Sequence, residues 1–213
     1  MSEVISIERD GGEAARDALE RCVGAGGVAI FPADTLYGLA CDPLNAAAVA
    51  RIHALKGRLA AKPSAVLYFS ILAMRELLGG LGPKARAAFA ELLPGPVTLV
   101  VANPQRRYPL ACGAEPGRLG VRLIDGPLAG LRLPLFQSSA NISATPAPHR
   151  IADVDPGLIG AVDLVIDGGE LIGEPSTILD LSTIDAGGQW QILRQGAVSA
   201  SELDRRLGPV VGQ

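Results

Sequence analysis

The chain is poor in aromatic residues: four Phe, three Tyr and one Trp make up 4% of its 213 residues. So few rings leave little material for the stacking platforms that hold single-stranded nucleic acid. A basic excess is missing as well. Nineteen Lys and Arg stand against 22 Asp and Glu, for a net charge of −3 and a pI near 5.4. No global field therefore draws the protein to nucleic acid or anionic lipid. A local basic cleft stays open, because net charge says nothing about distribution. Cys22, Cys41 and Cys112 are odd in number, widely spaced and form no Cys-x-x-Cys pair. They indicate neither a zinc site nor a disulfide framework, and fit small buried or half-buried thiols in a reducing compartment. No apolar run reaches the ~18 residues of a membrane span. The N-terminus carries charges within any would-be signal core. No membrane partner and a cytoplasmic location are the expectation. With no repeat, low-complexity tract or linker in view, residues 1–213 are expected to form one domain.

What the chain does have is aliphatic bulk. The hydrophobic fraction is 48%, mostly Ala, Leu, Val and Ile, enough for a full core. Strands are predicted at 3–8, 28–31, 65–69, 97–102, 119–123, 135–136, 164–166, 176–181 and 190–193. Helices are predicted from Asp10 as a cap to about residue 23, over 46–56 behind Asn45, at 72–78, over 83–93, and from Ser199 to about 207. Strand, helix, strand at the start is the unit of an α/β fold.

Residues 28–43 organise the rest. A buried strand ends at Pro32, and Asp34, Thr35 and Tyr37 follow before Gly38. Strand ends that deliver polar side chains are where open α/β sheets place ligands, although an ordinary loop exit has the same spacing. Lys56, Arg58 and Lys62 precede Pro63. They complement a helix C-terminus, or they neutralise a polyphosphate. Arg122 sits inside a strand and must find a partner or face a cleft. The run from Gln137 to Ser143 is dense in hydroxyls and amides; it is a turn or cap, or it contacts a nucleotide. Residues 103–117, rich in Pro, Gly, Arg and Ala, are expected to be a surface loop.

Pro32-x-Asp34-Thr35-x-Tyr37-Gly38-Leu39 resembles the opening signature of the YrdC/YciO family, the threonylcarbamoyl-AMP synthases. Five more segments follow in the family's order. They are Lys56-x-Arg58 with Lys62, Pro94-Gly-Pro-Val-Thr98, Gly120-Val-Arg122, Ser139-Ala-Asn141-x-Ser143, and Ser176-Thr177 with Leu193-Arg194-x-Gly196. Each is short, but six in collinear order over about residues 28–198 identify the chain as a family member.

The resemblance implies a single YrdC-like α/β domain. Its twisted, mostly mixed or antiparallel sheet would be flanked by helices around a large concave cleft. It implies that L-threonine, bicarbonate and ATP give threonylcarbamoyl-AMP and pyrophosphate, with the product passed to a separate tRNA threonylcarbamoyl transferase. Two anions meeting a polyphosphate call for cationic clamps rather than a covalent nucleophile. On the family's pattern Thr35, Arg122, Ser139 and Ser176 line the threonine pocket, Arg122 by a bidentate fork. Lys56, Arg58, Lys62, Asn141, His149 and Arg194 fall on the ATP side, with Lys56 and Arg58 stabilising charge. Magnesium is expected with ATP, and Asp34 is a candidate outer ligand.

Departures cluster toward the nucleotide. Ala33 replaces a usual Thr, Ser64 a Leu, Arg118 a Thr, Ala144 a Gly and Gln195 a Pro. His149 stands where a small hydroxyl residue is common. Two other readings compete with the synthase. One is a YciO-like paralogue that binds nucleotide or RNA, weakened by the acidic pI and few rings. The other is a carbamoyl-transfer module like that of hydrogenase maturation factors, which sits in far longer chains.

Overall fold

Alternating and continuous apolar runs condense into one mixed sheet. The computed structural model describes residues 2–208. Among them ten strands form: β1 (Glu3–Ser6), β2 (Ala29–Pro32), β3 (Tyr37–Cys41), β4 (Ala65–Tyr68), β5 (Val97–Ala102), β6 (Arg118–Leu123), β7 (Leu135–Ser139), β8 (Leu164–Asp167), β9 (Thr177–Asp180) and β10 (Gln191–Arg194). Their order across the sheet is β1-β8-β2-β3-β7-β4-β6-β5-β9-β10. Pairs β1–β8, β2–β8, β4–β6 and β5–β9 are parallel; the other five are antiparallel.

Side chains alternate across a strand, and this sheet sorts them into two very different faces. One face carries Ile30, Leu39, Val66, Leu99, Val121, Phe136, Val165 and Leu179 into the main core. After the first two helices, α1 (Ile7–Asp10) and α2 (Gly12–Gly24), come α3 (Ala46–Lys56), α4 (Arg75–Gly79), α5 (Pro83–Leu92), α6 (Pro156–Ala161) and α7 (Ala200–Leu207), which lie over this face and contribute Ile52, Leu77, Phe89, Leu158 and Leu203. The other face is covered over part of its width. Ala15, Ala18, Leu19 and Val23 of the helix Gly12–Gly24 pack on Ala29, Phe31, Ala40 and Ile166, joined by Ile124, Leu128 and Leu131. β5, β6 and β9 contribute no residue to this second core.

Local chemistry accounts for most boundaries. Asn45 caps α3 by accepting from Ala48 N at 3.0 Å, and Gly57 ends it at φ +57°, a conformation that suits glycine. Ser199 caps α7 by accepting from Glu202 N at 3.2 Å. Five expectations are corrected. The first strand stops at Ser6, because Ile7–Asp10 turns into a short helix capped by the Ser6 hydroxyl. Asp10 therefore closes that helix instead of opening the next: its carboxylate accepts from Ser6 N and pairs with Arg9. Residues 37–41 are a strand of their own, so the 33–36 exit is the tip of an antiparallel hairpin. Gln137, Ser138 and Ser139 lie within β7, in mid-sheet between β3 and β4. The 72–78 helix begins at Arg75, leaving Leu72 exposed.

Candidate active site

The uncovered part of the second face floors a cavity of about 400 Å³. Arg118, Gly120 and Arg122 of β6 alternate onto it, as do Thr98 and Val100 of β5 and Ile178 of β9. Ala65 of β4 and Gln137 and Ser139 of β7 reach it from the far side, and Arg58, Pro63 and Ser64 from the α3–β4 loop. Among the described residues the lining holds four arginines (58, 118, 122 and 194) against one carboxylate, Glu115. That lining is predominantly cationic.

Arg122 meets the need for a buried cation's partner by donating from Nη2 to Asp34 Oδ1 at 2.5 Å, its side chain only 5% exposed. The hairpin tip supplies that carboxylate together with Thr35, which is buried on the cavity wall. The tip is pinned on its other side. Tyr37 Oη accepts from Gly168 N at 2.9 Å and donates to Gly169 O at 2.7 Å, and burial pushes the phenol up to about 12. Tyr37 thus anchors the tip.

Arg58 donates to Ser138 Oγ at 3.2 Å and to Pro63 O at 2.6 Å; its half-buried position holds it below the ordinary arginine value. Arg118 is shared between Asp180 and Glu115, the latter at 2.9 Å. Burial works against the Asp180 charge, yet hydrogen bonds from Ser182 and Gln191 and the Arg118 charge hold its carboxyl low. Arg194 donates to Ser176 O at 2.7 Å and Ser176 Oγ at 3.3 Å. Partial burial, then the charge of Arg122, lower its value. Five buried polar atoms around this cavity have no partner: Asp34 Oδ2, Ser64 Oγ and the Nε atoms of Arg58, Arg118 and Arg122. Buried polar atoms ordinarily are paired, so their clustering here marks a wall built for a polar ligand.

Thr35, Arg58, Arg122, Ser139, Ser176 and Arg194, all singled out in the sequence, converge on this one cavity. Lys56 is placed differently. It is 2% exposed, and its ammonium lies behind the wall, donating to Ser139 O and, at 2.6 and 3.1 Å, to Asn141 O and Oδ1. Burial and then the Arg58 charge pull it down to about 8. Its ammonium thus ties together the Ser139–Asn141 corner and is not among the groups lining the cavity. Asn141 is folded into the same corner, donating to Thr145 O at 2.5 Å. Lys62 is exposed, His149 lies beside Asp153 and Glu170, and neither lines the cavity. The sequence reading gave Thr98 and Ser64 no role in the site, and took Gln137 only as part of the 137–143 run; all three line the cavity. Alternation along β5 from buried Val97 and Leu99 was the signal for Thr98. Residues 103–117 are less superficial than expected, since Asn103, Ala111 and Cys112 are buried. Cys22, Cys41 and Cys112 are free thiols, the last two buried.

A protein-held magnesium does not fit these donors. Among the described residues no group of three or more His, Cys, Asp or Glu is placed to hold a metal ion, and Asp34 is engaged with Arg122. No helix among them is long and apolar enough to cross a membrane.

Comparison with known proteins bears on the chemistry. The Sua5/YciO/YrdC family model, described as telomere recombination, matches residues 21–196. A threonylcarbamoyl-AMP synthase of Thiobacillus denitrificans is 35% identical over 178 residues, covering 80% of this chain and 93% of that protein. The Bacillus subtilis threonylcarbamoyl-AMP synthase is 31% identical over 191 residues, 86% of this chain; the chain spans only 54% of its length. Among solved structures, P. abyssi Sua5 complexed with L-threonine matches with TM-score 0.83 at 28% identity, over 98% of this chain and 61% of that one. E. coli YciO shares the fold, with TM-score 0.74 at 22% identity over 95% of this chain and 99% of that one.

Proposed function

The chain belongs to the Sua5/YciO/YrdC family, and from that premise we propose that it is an L-threonylcarbamoyladenylate synthase. The amine of L-threonine attacks bicarbonate carbon and water leaves, giving a carbamate. A carbamate oxygen then attacks the α-phosphorus of ATP, the bond to the β-phosphate bridge breaks, and pyrophosphate departs. Both steps gather negative groups, so the catalyst's work is to hold them together and offset charge. One observation carries this reading: a cavity walled by Arg58, Arg122 and Arg194 among serine and threonine hydroxyls, in a chain similar along 98% of its length to a Sua5 that binds L-threonine.

On this reading Arg122 takes the amino-acid carboxylate through the part of its fork that Asp34 leaves free, with Thr35 and Ser176 beside it. Arg58 and Arg194 face the triphosphate, assisted by Ser139. Lys56 and Asn141 set the position of Ser139. Lys62 and His149 would meet the nucleotide at most from outside the cavity. No described residue of the cavity would hold magnesium; brought with the nucleotide it would offset phosphate charge, and Arg118 would add a cation on that side. The product is an activated carbamate, suited to consumption by a tRNA threonylcarbamoyl transferase in the cytoplasm. The YciO-like alternative, with nucleotide or RNA bound and no product made, is the reading that the test must exclude.

The test is direct. Pure protein incubated with ATP, bicarbonate and labelled threonine should release pyrophosphate only when threonine is present, alongside a labelled adenylate. Product no higher than in a heat-killed control defeats the synthase reading.

A further inference from the structure

Thr98 carries a hydroxyl on the cavity floor. It is 7% exposed, Ser176 is 6% exposed, and their hydroxyl oxygens are 3.0 Å apart. The parallel pairing of β5 with β9 sets this contact, aligning Val97 with Thr177 and Thr98 with Ile178. Ser176 Oγ also accepts from Arg194 Nη2 at 3.3 Å.

A serine hydroxyl has one hydrogen to give and two acceptor positions. If Thr98 donates, Thr98 and Arg194 fill both positions, and the hydrogen of Ser176 is turned away from each toward the cavity that Ser176 lines. A hydroxyl that can only donate suits an anionic oxygen, and donors in series polarise one another. We propose that Thr98 is a positioning residue that acts through Ser176, aiming the Ser176 hydroxyl as a donor at the carboxylate of the amino-acid substrate. This rests on the reading of the cavity as the threonine site.

The experiment measures pyrophosphate release at varied L-threonine and varied ATP for wild type, Thr98→Val, Thr98→Ser, Ser176→Ala and the double variant Thr98→Val/Ser176→Ala. Valine keeps the shape and removes the hydroxyl. The expected result is a KM for L-threonine raised about tenfold in Thr98→Val, from loss of one hydrogen-bond link. The KM for ATP and kcat should stay within about twofold. Thr98→Ser should restore the wild-type KM, which a purely space-filling role for threonine would not produce. The double variant should match Ser176→Ala, because two residues in one chain of bonds are not additive. An unchanged KM in Thr98→Val, no rescue by serine, or losses that multiply in the double variant overturns the proposal. A wild-type KM in Ser176→Ala overturns the assignment of Ser176 to threonine, and this proposal with it. If Thr98→Val does not fold, Ser176→Ala and the double variant, where both polar groups are gone, carry the test. Any further rise in KM between them overturns it.

Discussion

The second face of the sheet has a covered part and an open part, built by the same alternation and meeting on β4 and β7. In β7, Leu135 packs beneath the helix Gly12–Gly24, while Gln137 and Ser139, two and four residues on, line the cavity. In β4, Leu67 is in the covered core and Ala65 in the cavity wall. Where the helix and the 124–131 segment lie over the sheet, the inward residues are Ala29, Phe31, Leu164 and Ile166. Where they do not, the same face carries Thr98, Arg118, Arg122 and Ser176. The difference teaches that one sheet can supply stability and chemistry side by side. An apolar face needs a cover to escape water; a charged, hydroxylated face keeps its value only while it stays open to a ligand.

If the two parts divide the labour in this way, substitutions should separate stability from kinetics. The largest effect is expected on the covered side. Phe31 is fully buried and stacks edge-on with Phe69, so Phe31→Ala should cost about 3–5 kcal/mol in denaturant unfolding. The surviving folded fraction should keep its KM for threonine, and a raised KM would break the division. On the open side, Arg122→Ala should lower kcat/KM for threonine by about a hundredfold or more, the loss typical of a buried charged hydrogen bond to substrate. Its KM for ATP should move little, and equal losses for both substrates would show that the two subsites are not distinct.

Lys56 lies at the seam and sharpens the contrast through pH. Its folded value of about 8 lies below the ordinary 10.5, so between those values the unfolded chain holds the proton and the folded chain does not. Stability attributable to this group therefore rises with pH from about 8 to 10.5, because the penalty for a buried ammonium is relieved. Wild type should gain melting temperature relative to Lys56→Met over that window, while its activity falls as the Ser139–Asn141 corner loses its ammonium. Parallel pH profiles for the two proteins would remove Lys56 from this role.

The smallest effect belongs to neither part. Ala144 adopts φ +71°, a left-handed conformation that costs a non-glycine residue about 1–2 kcal/mol. Ala144→Gly relieves that strain but loosens the unfolded chain by about 0.4–1 kcal/mol. Thermal melts should show a net gain on the order of 0.5–1 kcal/mol with unchanged kinetics.

Much of the cleft was legible because its residues sit in contiguous, chemically distinctive runs. Thr35, Arg58, Arg122, Ser139, Ser176 and Arg194 each stand out locally as a polar group at a strand end, a cation before proline or a charge inside a strand. Thr98 stood out only as the end of the Pro94–Thr98 segment and not as a site residue, because one threonine in an apolar strand reads as β-propensity. Lys56 poses the opposite problem. Its charge is obvious in the chain, but whether an ammonium meets ligand or backbone carbonyls depends on which loop folds across it. The hairpin at 29–41 was hidden because Tyr37 and Gly38 look like turn residues, and their pairing with Phe31 and Pro32 is a contact between strands.

The sequence by itself determined the elements and their inward faces. Side-chain period, caps such as Asn45 and Ser199, and breakers such as Gly57 and Pro94 act over a few residues. It determined too which polar groups had to find partners. Tertiary structure alone decided where those partners were. Asp34 reaches Arg122 across 88 positions, Asp180 reaches Arg118 across 62, and Thr98 reaches Ser176 across 78. It also decided that the cover would stop short of β6, β5 and β9. Local physics sets what a residue must avoid, whereas only the packed chain sets which distant residue, or which ligand, relieves it.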